Sequence, residues 1–110
     1  MSELARKSCV PCAAGAKPLE GKALESLQEE LGGGWSVMDG HHLEKEYRFK
    51  DFAGALAFTN RIGHVAEAEG HHPDIGLSWG KVNVTIYTHK IDGLTESDFV
   101  LAAKFDEVDA

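Results

Sequence analysis

The sequence predicts an α+β fold, with one four-stranded antiparallel sheet and three helices covering one face, in the order α-β-β-α-β-β-α. Three observations predict it. Leucines at 19, 24, 27 and 31 keep a helical period, and a second helical pattern runs from Phe52 to Ala66. Alternating segments come in two pairs, each joined by a connection short enough to force antiparallel strands. A third helical stretch, with Phe99, Ala102, Ala103 and Phe105 turned inward, closes the chain.

Residues 1–17 read as a polar N-terminal tail, and residues 18–110 as a single domain. The tail holds Cys9-Val10-Pro11-Cys12. Such a pair can serve redox or zinc chemistry. No strand precedes it and no second C-x-x-C follows, so the two thiols read as free surface groups. Gly32-Gly33-Gly34 stops the first helix, and Trp35 to Met38 begins the sheet. Asp39-Gly40 is a hairpin dipeptide. In the returning strand Leu43, Tyr47 and Phe49 alternate with Glu44, Glu46 and Arg48. Lys45 interrupts the apolar side and is placed near an edge or end. His41 and His42, by the hairpin tip, read as solvated turn residues.

Asp51 is the expected N-cap of the next helix, with Phe52, Leu56, Ile62 and Ala66 on its buried face and Gly70 at its end. Small residues (Ala53, Gly54, Ala55, Ala57 and Gly63) keep this helix slim enough for close packing. His64 within it reads as a surface or half-buried side chain. A strand from about Ile75 to Trp79 precedes a longer one in which Val82, Val84 and Ile86 face the core. Asn83, Thr85, Tyr87 and His89 face the other way, where a ligand can reach them. Asp92-Gly93 turns the chain, and Thr95-Glu96-Ser97-Asp98 resembles a capping box with Asp in place of Glu.

Composition narrows the function classes. At 110 residues, with 43% hydrophobic and 26% charged residues, the chain has an ordinary globular make-up. Eleven Lys and Arg against 18 Asp and Glu give a formal charge of −7, which repels phosphate backbones and anionic lipid. Direct nucleic-acid and membrane partners are therefore not expected. Two cysteines cannot build a disulfide framework, and no secretory signal is legible, so the expected location is the cytoplasm.

The stretch from His71 to His89 carries the chemistry. Pro73 pins His71-His72, Gly80 punctuates the middle as a turn, and His89 closes the alternating run. Folding back after Gly80 brings His89 towards the pair, so three imidazoles are expected in one patch. Three imidazoles suffice for a catalytic zinc, but their spacing is not a common helical metal motif. No metal and no cofactor are expected.

His71-His72-Pro73-Asp74, then Gly80-Lys81-Val82, Thr88-His89 and Gly93-Leu94-Thr95-Glu96-Ser97-Asp98 together resemble the pterin-4a-carbinolamine dehydratases. These proteins are also called dimerisation cofactors of a homeodomain transcription factor. The likeness runs from about Leu4 to the C-terminus, and the C-V-P-C tail and Gly34-Trp35 look like those of bacterial members. The resemblance implies a hydro-lyase that dehydrates 4a-hydroxytetrahydropterin to quinonoid dihydropterin, recycling the cofactor of aromatic amino acid hydroxylases. It implies catalytic roles for His71, His72 and His89, with Pro73 as the motif proline and Asp98 as a supporting acid. It also implies metal-free chemistry and assembly as a homodimer or homotetramer. Ile75 stands where animal relatives carry an aromatic wall for the pterin; Trp79 and Tyr87 are the expected substitutes.

Imidazole suits this reaction. The hydroxyl on C4a must leave protonated while N5 loses a proton, and imidazole serves as acid or base near neutral pH. His72, held extended by Pro73, and His89 are the expected acid–base pair, in an order the sequence leaves open. His71 is expected to bind or orient the pterin, and Asp98 to hold an imidazole or merely cap its helix. The alternative is a non-catalytic module that steadies a partner's dimer through an exposed apolar face of the Phe52–Ala66 helix.

Overall fold

The computed structural model describes residues 3–7 and 18–109. Cys9 and Cys12 lie outside the described residues. Along the chain come α1 (Glu3–Arg6), α2 (Lys22–Leu31), β1 (Ser36–Met38), β2 (His42–Arg48), α3 (Phe52–Glu69), β3 (Asp74–Ser78), β4 (Lys81–Ile86) and α4 (Glu96–Asp109). A 3₁₀ turn, His89–Ile91, lies between the last two. The sheet order is β1-β2-β4-β3, with every neighbouring pair antiparallel. β4 is thus inserted between two parallel strands, β2 and β3, which α3 connects. The expected architecture stands.

Local chemistry places the joints. Asp39 and Gly40 both take positive φ, 55° and 64°, and His41 N–H donates to the Met38 carbonyl at 2.9 Å across the turn. Asp51 caps α3 by accepting the Gly54 N–H at 2.8 Å. At the other end Gly70 is left-handed (φ 65°, ψ 27°). Its N–H reaches the Glu67 carbonyl at 3.2 Å, and the His71 N–H reaches that of Ala66 at 3.1 Å. This double closure is a Schellman motif, and it fixes the backbone at the start of the histidine pair.

The core lies between the sheet and the helices, with Leu43, Tyr47, Val82, Val84 and Ile86 meeting Phe58, Ile62, Phe99 and Phe105. α3 buries Ala55, Phe58, Ile62 and Ala66. Phe52 and Leu56, expected on that face, are instead 45% and 41% exposed. At 3.6 residues per turn they lie roughly 100° around the axis from the buried stripe.

Lys45 also departs from expectation. It sits mid-strand in β2, an interior strand, opposite Val84. Its side chain, 17% exposed, pairs with Asp106 at 2.7 Å. The same carboxylate oxygen accepts the Tyr47 hydroxyl at 2.6 Å, and the other accepts the Trp35 indole N–H at 3.0 Å. Lys45 Nζ lies 4.5 Å from the Tyr47 ring centroid, adding a cation–π contact. A central strand thus carries a lysine because α4 brings it an acid. Within the stretch read as a polar tail, Leu4 is fully buried and Ala5 nearly so, in a turn of helix packed on α4. Lys104 secures that turn by donating to the Ala5 carbonyl at 2.8 Å.

Asp106→Leu strips three donors of one shared acceptor and is expected to destabilise the fold by about 3 kcal/mol, read as a lower urea midpoint. Lys45→Met should cost less, since the carboxylate keeps two neutral donors; the reverse order would contradict this account. Leu4→Ala should cost about 3 kcal/mol by the same measurement, whereas a loosely hanging tail would give no change.

Candidate active site

Each element ends where a functional side chain begins. α3 hands the chain to His71 through the Schellman closure, and Pro73 then confines His72 to extended backbone. β4 ends at Ile86 and delivers Tyr87, Thr88 and His89. Thr88 and Gly93 close the loop that carries His89, with Thr88 N–H donating to the Gly93 carbonyl at 2.8 Å. Gly93 is required there, since a Cβ would come within 2.7 Å of the Pro18 side chain. Continued past Asp74, the β3–β4 register sets His71 level with Thr88 and His72 level with Tyr87.

Asp98, at the start of α4, is fully buried and joins these ends. Its Oδ1 is 2.6 Å from His71 Nε2. Its Oδ2 accepts the Thr88 hydroxyl at 2.8 Å and the Thr95 backbone N–H at 2.8 Å. The sequence left helix capping and imidazole support as alternatives for Asp98; its two oxygens do both. A carboxylate that already takes two donors is an acceptor, so His71 donates from Nε2 and keeps Nδ1 free. The His71 side chain is 13% exposed.

The other two motif histidines are open to solvent. His72, 64% exposed, meets Glu67 Oε1 at 2.7 Å. His89 is exposed and turns its ring edge-on to Tyr87, with centroids 4.3 Å apart. Among the described residues no hydrogen bond, ion pair or ring contact joins the three motif imidazoles to one another. Asp98 links one of them, His71, to Thr88, the residue preceding another.

Trp79 is placed elsewhere. It stands 69% exposed in the β3–β4 turn, beside Arg48 and Phe49, and the five residues of β3 separate it from the histidine pair by roughly 16 Å of strand. Within this chain it cannot wall the same patch as His71. Ile75 is half-buried, packed against the core. His41 and His42, read as solvated, are 33% and 22% exposed at their side chains. The His41 ring lies 4.7 Å from that of Tyr87. Two partners escaped the sequence reading. Thr88 had a signal in its adjacency to His89, and Glu67 in its place one turn before His71. No group of three His, Cys, Asp or Glu side chains is arranged to hold a metal ion among the described residues.

Comparison with known proteins gives the family. The model of the family described as pterin 4 alpha carbinolamine dehydratase matches residues 17–108. A Rubrobacter xylanophilus protein, named provisionally as a pterin-4-alpha-carbinolamine dehydratase, is 56% identical over 98% of this chain and 100% of its own length. An Alkaliphilus metalliredigens protein with the same provisional name is 54% identical over 97% of this chain and 96% of its own. The crystal structure of a Brucella melitensis transcriptional coactivator/pterin dehydratase superposes with a TM-score of 0.79 at 29% identity, over 86% of this chain and all of that one. A pterin dehydratase-like protein described as a RuBisCO assembly factor in the alpha-carboxysome shares the fold, with a TM-score of 0.60 at 24% identity. Coverage of the match and likeness over nearly the whole length leave one conclusion: the chain belongs to the pterin 4 alpha carbinolamine dehydratase family.

Proposed function

We propose that this protein is a hydro-lyase that dehydrates 4a-hydroxytetrahydropterin to quinonoid dihydropterin by histidine acid–base catalysis. The observation that carries the reading is the His71–Asp98 contact of 2.6 Å, which joins two motif residues 27 positions apart. A second strand of support is the family, whose name states this substrate class.

In the reaction, the C4a–O bond breaks and the hydroxyl leaves as water with a proton from one imidazolium. A second imidazole takes the N5 proton, and the nitrogen lone pair forms the C4a=N5 bond. His72 and His89 supply these two groups. Each is accessible to solvent, and each has one neighbour to restrain it, Glu67 and Tyr87 respectively. His71, turned by Asp98, orients the pterin through its free nitrogen. Tyr87 lends ring surface in the part expected of Trp79. Such a protein would recycle the pterin cofactor of an aromatic amino acid hydroxylase.

A second reading draws on α3. Phe52 and Leu56 stand exposed on one side of it, and such pairs favour burial against another chain. Self-assembly into a homodimer or homotetramer would cover them. So would a partner protein whose dimer this chain steadies, in keeping with the coactivator name of the Brucella melitensis protein. Native mass measurement of the purified chain separates the two.

His72→Ala and His89→Ala are each expected to lower the dehydration rate about 10²- to 10⁴-fold while far-ultraviolet dichroism stays unchanged. Wild-type turnover from both would remove the proposal. Asp98→Asn should lower kcat at least about tenfold, because the amide cannot serve as an acceptor-only partner for His71; a capping role alone would lower only the melting temperature. Dialysis against a strong chelator is expected to leave turnover intact, and a rate restored only by added metal would refute metal-free catalysis.

A further inference from the structure

The proposed chemistry leaves three histidines unused, and two of them, His41 and His42, form a bonded chain with two acids. His41 Nε2 lies 2.7 Å from Asp92 Oδ1, and His42 Nε2 lies 2.6 Å from Glu44 Oε2. An ionised carboxylate only accepts, so both Nε2 atoms donate. The two Nδ1 atoms then face each other at 3.0 Å. The ring centroids are 5.3 Å apart, that gap plus the two ring radii, so the nitrogens meet head-on. This is the approach of an N–H···N bond. A metal held by both nitrogens would sit off their line and draw the rings closer. The charged groups around the pair are Glu44 on β2, Asp92 in the His89 loop, and Asp39 and Glu20 in the cleft beside His41. Tyr87 and His89 complete the titratable neighbours.

This chain reaches His89 by two routes. The His41 ring packs on Tyr87 with centroids 4.7 Å apart, and Tyr87 meets the His89 ring edge-on at 4.3 Å. Asp92 supplies the second route. Its side chain holds His41, while its backbone N–H donates to the His89 carbonyl at 3.3 Å. Asp92 takes the left-handed conformation, φ 51° and ψ 50°, at the corner of that loop. His41 itself does not touch His89.

The geometry points to His41 as a positioning residue for His89, acting through the Tyr87 ring and the Asp92 corner. The kinetic consequence rests on the dehydratase reading; the structural coupling does not. Imidazole ¹H–¹⁵N spectra of His89 test the coupling in the wild type, His41→Asn, Tyr87→Leu and Tyr87→Phe, with thermal melts alongside. Dehydration kinetics on the same proteins test the consequence. His41→Asn and Tyr87→Leu should displace the His89 ring resonances, and His41→Asn should lower kcat about tenfold with KM changed less than about twofold. Tyr87→Phe keeps the ring and should retain the His89 resonances. Unmoved His89 resonances in a folded His41→Asn protein overturn the inference. Asp92→Asn, tolerated in a left-handed position, reads the same coupling where His41→Asn does not fold. Displaced resonances in a chain whose wild type lacks dehydratase activity would uphold the coupling and remove the dehydratase reading.

Discussion

A carboxylate removed from water is costly unless donors replace its hydration, and Asp98 is fully buried. Its compensation comes from three separate parts of the chain. Thr95 belongs to the start of α4, Thr88 to the end of β4, and His71 to the junction after α3. Removing any one donor leaves charge uncovered, so the three segments are held in a single relative position. A helix cap and a hold on the His71 imidazole thus coincide in one side chain.

Asp106 repeats the device eight residues later, about 80° around α4 from Asp98. There the donors are Lys45, Tyr47 and Trp35, all from the first half of the chain. α4 is otherwise buried through Phe99, Val100, Leu101, Ala102, Ala103 and Phe105. Apolar contacts of that kind hold a helix in place but tolerate sliding, because they have no preferred direction. Two carboxylates with directional partners remove that freedom. One pins the helix to the histidine end of the sheet and the other to β2.

The features legible in the sequence are those decided within a few residues. Asp39-Gly40 turns because both residues can adopt positive φ, Asp51 caps because its side chain reaches three residues on, and Gly70 closes α3 without a Cβ penalty. The features that escaped depend on distant partners. Lys45 looked like an edge residue because its acid lies 61 positions away, and Leu4 looked like part of a tail because α4 lies at the other end of the chain. Phe52 and Leu56 fit a helical period, but period alone does not say which of two neighbouring stripes the sheet will meet. The histidine motif was legible because a proline and a turn set its spacing. The placement of Trp79 was not, since its distance from His71 follows from which strand it ends.

The proposed dehydration sets unequal demands on the three motif imidazoles, and the structure treats them unequally. After one turnover the donor has lost a proton and the acceptor has gained one, although the substrate's loss of water is balanced overall. Both groups must exchange protons with water, or with each other through it, before they act again. Burial would block that exchange. His72 and His89, the exposed pair, are suited to it. An orienting group has the opposite need, because each rotamer it visits misplaces the substrate. His71, nearly enclosed and tied to a carboxylate that cannot move, meets that need. What His89 lacks in burial it must gain from its neighbours. Tyr87 and the Asp92 corner supply that restraint while leaving the ring wet. The proposed division of labour among identical side chains thus follows from where each one stands between the core and the solvent.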